Sequence, residues 1–433
     1  MGRKSSSPPP DALAALRIPF VRDFALGRMA ATIGTQLVSV AVGWELYERT
    51  GDPWALGLVG VAQVAPALVL TLPAGNLADR FPRRNIAMLA HALAGLAALG
   101  LAAVSWLGAA VELVYGLLLL TGVARAFAMP SVGTLLPQLL ERRQFANANA
   151  WLVSSFQLAA ISGPAAAALL IALSGAATSS YLVAAVGQLL FVGLLTRLPA
   201  VAPPPSPAAR SARDLFAGVA YIRRQPVFLA AITLDLFAVL LGGAVALLPI
   251  FAKDILGVGP LGLGLLRSAP SVGAMATALL ATRLRPWERP GRVLLLTVAG
   301  FGIATVGFGL SRDLAVSLVC LSFIGAFDAV SMVIRQTLQQ VITPDRLRGR
   351  VAAVNSLFVG MSNELGAFES GATAALFGPI ISVVGGGVGT LVVVAFVALV
   401  WPALARIGPL HTLHPLEAEP GQPPEPAARP ARA

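Results

Sequence analysis

The stretch GNLADRFPRR, residues 75–84, sets four charges within six residues (Asp79, Arg80, Arg83 and Arg84) in an otherwise apolar chain. Blocks of Gly, Ala, Leu and Val stand on both sides of it. A polar corner between two long apolar runs is the pattern of a short connection between membrane helices. The rest of the sequence repeats that pattern.

Of the 433 residues, 57% are hydrophobic and 12% charged. Soluble domains carry about 25% charged residues, so this chain has too few charges to coat a water-facing surface. The apolar residues fall into blocks of roughly 20, the length that crosses a bilayer as a helix. About twelve spans are expected, near 24–47, 54–76, 85–108, 112–130, 146–173, 179–198, 227–251, 260–282, 292–310, 314–336, 351–376 and 380–404. They divide into two six-helix bundles, 24–198 and 227–405. A polar N-terminal segment (1–23), a linker (199–226) and a polar tail (406–433) complete the chain. The linker opens PAVAPPPSPAARSAR and continues with Leu215, Phe216, Val219 and Ile222 at helical spacing. It is expected to end in an amphipathic helix on the membrane surface. The tail, rich in Pro, Ala and Glu, is expected to be disordered. No apolar segment with a cleavage site opens the chain, so no cleaved signal is expected.

The net charge of +11 raises the question of nucleic acid. The placement of the basic residues answers it. Arg17, Arg22, Arg80, Arg83, Arg84, Arg142, Arg143, Arg223, Arg224, Arg289, Arg292, Arg346, Arg348, Arg350 and Arg406 all fall on one side of the expected spans. Arg49, Lys253 and Arg312 fall on the other. By the positive-inside rule both termini and the linker are cytoplasmic in a multi-pass cell membrane protein, and no nucleic acid is needed. The partners expected are the bilayer, a small-molecule substrate and protons, with the chain acting as a monomer.

An internal repeat runs through the spans. LGLVGVAQVAP (56–66) returns as LGLGLLRSAP (261–270), and LPQLLERRQFANAN (136–149) is echoed by LQQVITPDRLRGRV (338–351). The offsets nearly agree. Two six-helix halves in parallel repeat are a transporter architecture.

On these residues the chain resembles the major facilitator superfamily. The opening decapeptide is similar to the signature G-x-x-x-D-R-x-G-R-R between the second and third helices of that family. Gly75, Asp79, Arg80, Arg83 and Arg84 match, and Pro82 replaces the second glycine. The degenerate counterpart in the other half is ATRLRPWERPGR (281–292). VGWELYERTGDPWALGLVG (42–60), FDAVSMVIRQTLQQVITPDRLRGRVAAVNSLF (327–358) and SNELGAFESGATAALFGP (362–379) resemble the enterobactin-exporter-like and macrolide-efflux-like branch. The resemblance implies an all-α membrane protein with twelve transmembrane helices in two pseudo-symmetric halves, the major facilitator fold. It implies that Asp79 sits against the start of helix 11, near Val351 to Asn355, as part of a conformational gate. It also implies that the helix 4 arginine, here Arg125, takes part in proton coupling, although RAFAM departs from the family's R-x-x-Q-G. Gly163 and Pro164 in AAISGPAAAALL (159–170) partly match the antiporter motif of helix 5 and point to export and a helix 5 hinge.

Charges inside spans are costly and mark function by default. Asp235 is expected about 12 Å into helix 7. Asp328 falls near the middle of helix 10, with Arg335 two turns on. Glu364 falls near the middle of helix 11, with Glu369 beyond it on a somewhat different face. Two readings of Asp235, Asp328 and Arg335 stand side by side: a proton-carrying site that rocking of the halves switches, or a static brace between helices 7 and 10. Arg125 has the same two sides, coupling residue or snorkelling surface charge. Arg28 and Arg267 are expected to snorkel from span ends, His91 to be a satisfied interior histidine, and Cys320 to be packed core.

No zinc-protease or phosphate-loop motif is present, and the three histidines, His91, His411 and His414, are scattered. No enzyme activity, cofactor or metal is expected. The function expected is a proton-coupled exporter of amphipathic small molecules such as drugs or siderophores, working by alternating access. An importer of a small organic solute on the same fold is the alternative; a receptor or membrane enzyme is the reading from another class.

Overall fold

A computed structural model describes residues 13–199, 219–281 and 287–410. Most of the 1–23 segment's polar start, Leu215 and Phe216 of the linker, part of the 281–292 counterpart loop and the tail from 411, with His411 and His414, lie outside the described residues. Among the described residues there is no strand. Twelve long helices follow one another: α1 (Pro19–Thr50), α2 (Pro53–Arg80), α3 (Arg83–Leu107), α4 (Val111–Val132), α5 (Arg142–Ser174), α6 (Thr178–Leu195), α7 (Pro226–Leu241), α8 (Gly259–Ala281), α9 (Pro290–Leu310), α10 (Leu314–Ile342), α11 (Asp345–Phe377) and α12 (Pro379–Val400). Eleven of these segments are long and apolar enough to cross a bilayer, α7 counting together with its extension to Ile255. The twelfth, α11, has 33 residues but too much polarity to join them. A helix that polar must bury its charges between neighbours rather than face lipid.

Within the helices the backbone pairs along its own segment, as lipid demands, and the helices pack through small residues. The packing repeats at a shift of six. α1 lies on α5 and α6, and α7 lies on α11 and α12. α2 lies on α4, and α8 on α10; α3 lies on α4 and α6, and α9 on α10 and α12. The two halves meet through the crossed pairs α2 with α11 and α8 with α5. The sequence repeat supplies both contacts. A Cβ on Gly60 would stand 2.3 Å from the Glu364 carbonyl oxygen. On Gly264, at the matching place in the repeat, it would stand 2.3 Å from the Ala168 Cβ.

The end of the bundle at which α1 begins is the basic end, and the opposite one the far end. A single buried cluster near the far end draws residues from both halves, including Leu37, Trp44, Tyr47, Leu101, Leu247, Phe251 and Leu263. Toward the basic end each half has its own core. Phe24, Ala87, Leu136 and Phe191 belong to the first; Phe228, Leu294, Ile334 and Val351 belong to the second. The molecule is therefore closed at the far end, with its two basic-end cores separate.

Two expectations need correction. Helix 7 is not one run over 227–251. It stops at Leu241, and 3-10, α and π turns over Ala244–Ile255 carry the chain on. The break falls at Gly242 and Gly243, where a Cβ on Gly243 would stand 2.6 Å from the Gly366 carbonyl oxygen of α11. On the other side, α12 presses Gly386 against the Leu241 carbonyl. Second, GNLADRFPRR is mostly helix: α2 runs to Arg80, α3 begins at Arg83, and only Phe81 and Pro82 turn the corner. Their φ values of −115° and −55° need no glycine, which is why Pro82 fits where the signature has one. A short helix, Leu135–Leu139, also stands between α4 and α5, in the interval between two expected spans. The described end of the linker, residues 219–224, is helical. Ile222 is buried in the second half's core, and the Tyr221 hydroxyl donates to the Ile342 carbonyl at 2.7 Å.

Candidate transport site

Ionisable side chains gather at four places between or within the halves. The first lies wholly in the second half. Asp235 of α7 is ion-paired with Arg335 of α10, and Asp328, two turns back along α10, lies 3.8 Å from the same guanidinium. Arg335 Nε also donates to the Ser331 carbonyl and hydroxyl, at 3.3 and 3.2 Å. Asp235 is buried, while the Asp328 side chain keeps 42% of its exposure. Asp235, Asp328 and Ser331 line a small pocket with Phe301 and Phe327. The helical spacing of Asp328, Ser331 and Arg335 places all three on one face of α10, and α7 brings Asp235 onto it.

The second joins the halves. Arg125 Nη1 of α4 donates to Glu364 Oε1 of α11 at 2.6 Å. The arginine is 45% exposed and the glutamate 16%. Arg125 is thus committed to a partner in the other half and does not snorkel. Arg125 and Asp328 stand at matching depth in the pseudo-equivalent helices α4 and α10. Glu369 is turned elsewhere, accepting from Thr373 at 2.8 Å and Ser370 at 3.4 Å.

Arg267 of α8 belongs beside this pair, which the sequence reading missed. It was expected to snorkel from a span end. Instead Nη2 donates to Ser39 of α1 at 3.2 Å, Nε is buried without a hydrogen-bond partner, and the Glu364 charge acts on it. The signal available was its place in the repeat, opposite Gln63. Around it, Ser268 donates to the Ile161 carbonyl and Gln157 to the Ser271 carbonyl, tying α8 to α5.

The third place is the far end. The Tyr47 hydroxyl of α1 donates to the Asp254 carboxylate in the other half, and the Lys253 ammonium lies 5.7 Å over the Tyr47 ring. Two residues back along α1, Glu45 accepts from Tyr181 at 2.8 Å and pairs with Arg49 at 3.3 Å. The fourth is the corner after α2. Asp79 pairs with Arg83 at 3.4 Å, Arg83 Nε donates to the Ala78 carbonyl, and Arg84 donates to the Leu198 carbonyl at 2.6 Å. Gly75 is buried and Arg80 exposed. Val351 and Val354 of α11 are buried in the second half's own core.

Two further residues differ in detail from expectation. His91 is satisfied on one side only: Nδ1 meets Gln188 Oε1 at 2.7 Å, and Nε2 is buried without a partner. Cys320 is partly buried against Gly307. Gly163 and Pro164 lie within an unbroken α5. A Cβ on Gly163 would stand 2.6 Å from Gln36 of α1, and the Pro164 carbonyl faces Gly264 of α8. Both residues mark close helix approaches. No group of His, Cys, Asp or Glu that could hold a metal occurs among the described residues.

The model of the Major Facilitator Superfamily matches residues 24–367. The chain belongs to the major facilitator superfamily. The chain of this superfamily member is 28% identical over 389 residues to the enterobactin exporter EntS of Shigella boydii serotype 18 and, equally, to that of Escherichia coli O1:K1. The alignments cover 90% of this chain and 93% of each exporter. Among solved structures, it is similar to a bacterial homolog of the human lysosomal transporter Spinster in an inward-facing and occupied conformation. There the TM-score is 0.72 at 15% identity, covering 88% of this chain and 96% of that one. A D-xylose–proton symporter is similar at TM-score 0.67 and 15% identity, over 87% and 97% of the two chains. This major facilitator protein is a multi-pass membrane transporter, and its resemblance within the superfamily is to the enterobactin-exporter branch.

Proposed function

We propose that the protein exports amphipathic small molecules, drugs or siderophores, in exchange for protons. The observation that carries the reading is the pairing of carboxylates with arginines at two places within the helices. One pair, Asp235 with Arg335, lies inside the second half; the other, Glu364 with Arg125, joins the halves. Ion pairs at membrane depth are costly to build and are kept where they work. The likeness to enterobactin exporters supports the outward direction.

In this reading the basic end faces the cytoplasm, both termini with it, and the molecule is open inward. Arg335 stands between two carboxylates. A proton on Asp235 removes its claim on the guanidinium, which swings to Asp328; loss of the proton reverses the exchange. A proton on Glu364 frees Arg125 and loosens the tie between the halves. Rocking then exposes the carboxylates to the other side. Protons move inward as substrate moves outward, a carboxylate alternating between a protonated and an arginine-bound form. Substrate enters from the cytoplasmic side between the separated basic-end cores. The chain as a whole carries few charges, 12% of its residues, against 57% hydrophobic ones, which suits amphipathic molecules.

Everted membrane vesicles with an imposed pH gradient test it, with a panel of lipophilic cations and a panel of siderophores. Gradient-dependent uptake of at least one compound is expected, and its loss in Asp235→Asn and Glu364→Gln. Movement indifferent to the gradient, or wild-type transport in both variants, overturns proton coupling. Uptake only in right-side-out vesicles would make the protein an importer.

A further inference from the structure

Arg267 is the charged group for which the architecture has no use. Within the repeat, Gly264 and Pro270 match Gly60 and Pro66, and both glycines make the close contacts that join the halves. At position 267 the repeat changes from the amide of Gln63 to a guanidinium. Helix packing alone is served by the amide in one half, so the charge at Arg267 answers to something else. Its described contacts leave it incomplete. Nη2 reaches a neutral hydroxyl, Ser39, and Nε has no acceptor although it is buried. A guanidinium away from water normally meets a carboxylate through two parallel hydrogen bonds. The neighbouring Glu364 instead makes its tight contact with a competitor, accepting from Arg125 at 2.6 Å. Two arginines therefore share one carboxylate, leaving one positive charge in excess at the place where α1, α4, α8 and α11 converge. The site lies below the closed far end, and Arg125 is its exposed member.

We propose that Arg267 and Arg125 form a recognition site for an anionic group, a carboxylate or similar oxyanion, on the transported molecule. The inference rests on the transport reading above and narrows its substrate class to amphipathic anions. The anion takes the open Nε–H and the adjoining Nη–H of Arg267 in a bidentate pair and neutralises the excess charge. Glu364 is then free to exchange between Arg125 and a proton, so substrate binding and release of the tie between halves become one event. An amphipathic cation meets the same two guanidinium groups as a repulsive wall.

The test is equilibrium binding to the purified full chain in lipid nanodiscs, without any pH gradient. The probes are 2-naphthoate and 2-naphthylmethylammonium, which share a ring and differ in the sign of charge. Wild type is expected to bind the carboxylate about tenfold tighter or better. Arg267→Gln should abolish the preference, and Arg267→Lys, which keeps the charge but not the fork, should keep part of it. 2-Naphthoate should also raise the thermal midpoint of wild type and not that of Arg267→Gln. Equal binding of both probes by wild type, or an undiminished preference in either folded variant, overturns the proposal. Because no gradient is present, a transporter that is not proton-coupled still shows the preference, and a coupled one that lacks it fails only here.

Discussion

Arg125 and Glu364 meet at 2.6 Å across the boundary between the two halves, one on α4 and the other on α11. The arginine is nearly half exposed, so the pair adds little to stability, on the order of 0–1 kcal/mol. Its value lies in what its breaking permits. Glu364→Gln should leave the thermal midpoint within a few degrees of wild type and cut gradient-driven transport by about tenfold or more, equivalent to about 1.4 kcal/mol on the rate-limiting step. Swapping the two residues should restore part of the transport. A swap no better than the single variants would show that the pair is not the unit that matters.

Asp235 presents the opposite balance, because it is buried and bonded to Arg335. Asp235→Asn should destabilise the protein by about 3–5 kcal/mol, since it leaves a buried guanidinium with only the more distant Asp328. Adding Arg335→Gln should recover much of that loss, with transport still absent. Thermal unfolding of the single and double variants in detergent checks this. A double variant less stable than Asp235→Asn would contradict it.

Closure of the far end depends on Tyr47 and Asp254. Tyr47→Phe removes one hydrogen bond and keeps the ring against Lys253, a change of about 0.5–1.5 kcal/mol. The expected result is a several-fold shift toward the state open at the far end. Spin labels placed on α1 and α7 near that end would report it as a longer distance population, and an unchanged distribution would remove the pair from the gate.

Gly60 offers a steric version of the same experiment. A methyl group there would stand 2.3 Å from the Glu364 carbonyl oxygen, a backbone atom that cannot yield by rotation. Gly60→Ala should therefore force α2 and α11 apart at a cost of about 1–3 kcal/mol. Thiol labelling of cysteines placed along α2 should become faster from the far side. Unaltered labelling would mean that the helices slide instead of separating.

Asp79→Asn should lower transport without lowering membrane insertion, because this carboxylate pairs with Arg83 in the structure and the family resemblance implies that it meets the start of α11 when the halves rock. Insertion is read from the amount of folded protein in the membrane fraction. Normal transport would reduce the corner to a topology signal.

Much of the site was legible one residue at a time. Asp235, Asp328, Arg335 and Glu364 stand out because a charge within an apolar block is costly in lipid. The spacing of Asp328 and Arg335 even placed them on one helix. Arg267 did not stand out, since its distance from the span's start allowed a snorkelling side chain. Only the meeting of α8 with α1 and α5 shows that its Nε is enclosed. The break in α7 was hidden for a similar reason. Gly242 and Gly243 are ordinary in a membrane helix until Gly366 of α11 and Gly386 of α12 press against that turn.

By itself the sequence determined the all-α class, the near-twelvefold alternation of apolar blocks and the division into two repeated halves. Those follow from local physics: lipid forbids unpaired backbone, so each block of sufficient length becomes a helix. It also determined which positions carry charge where charge is costly. Tertiary structure decided the partners. It gave Arg335 to Asp235, Arg125 to Glu364 and Tyr47 to Asp254, and it left Arg267 incomplete. It also decided which end is shut, because closing the far end through Gly60 and Gly264 and leaving the other cores apart is a choice between packings of the same helices. Partners and state depend on contacts between residues as many as 239 positions apart. No helical periodicity encodes a separation of that size.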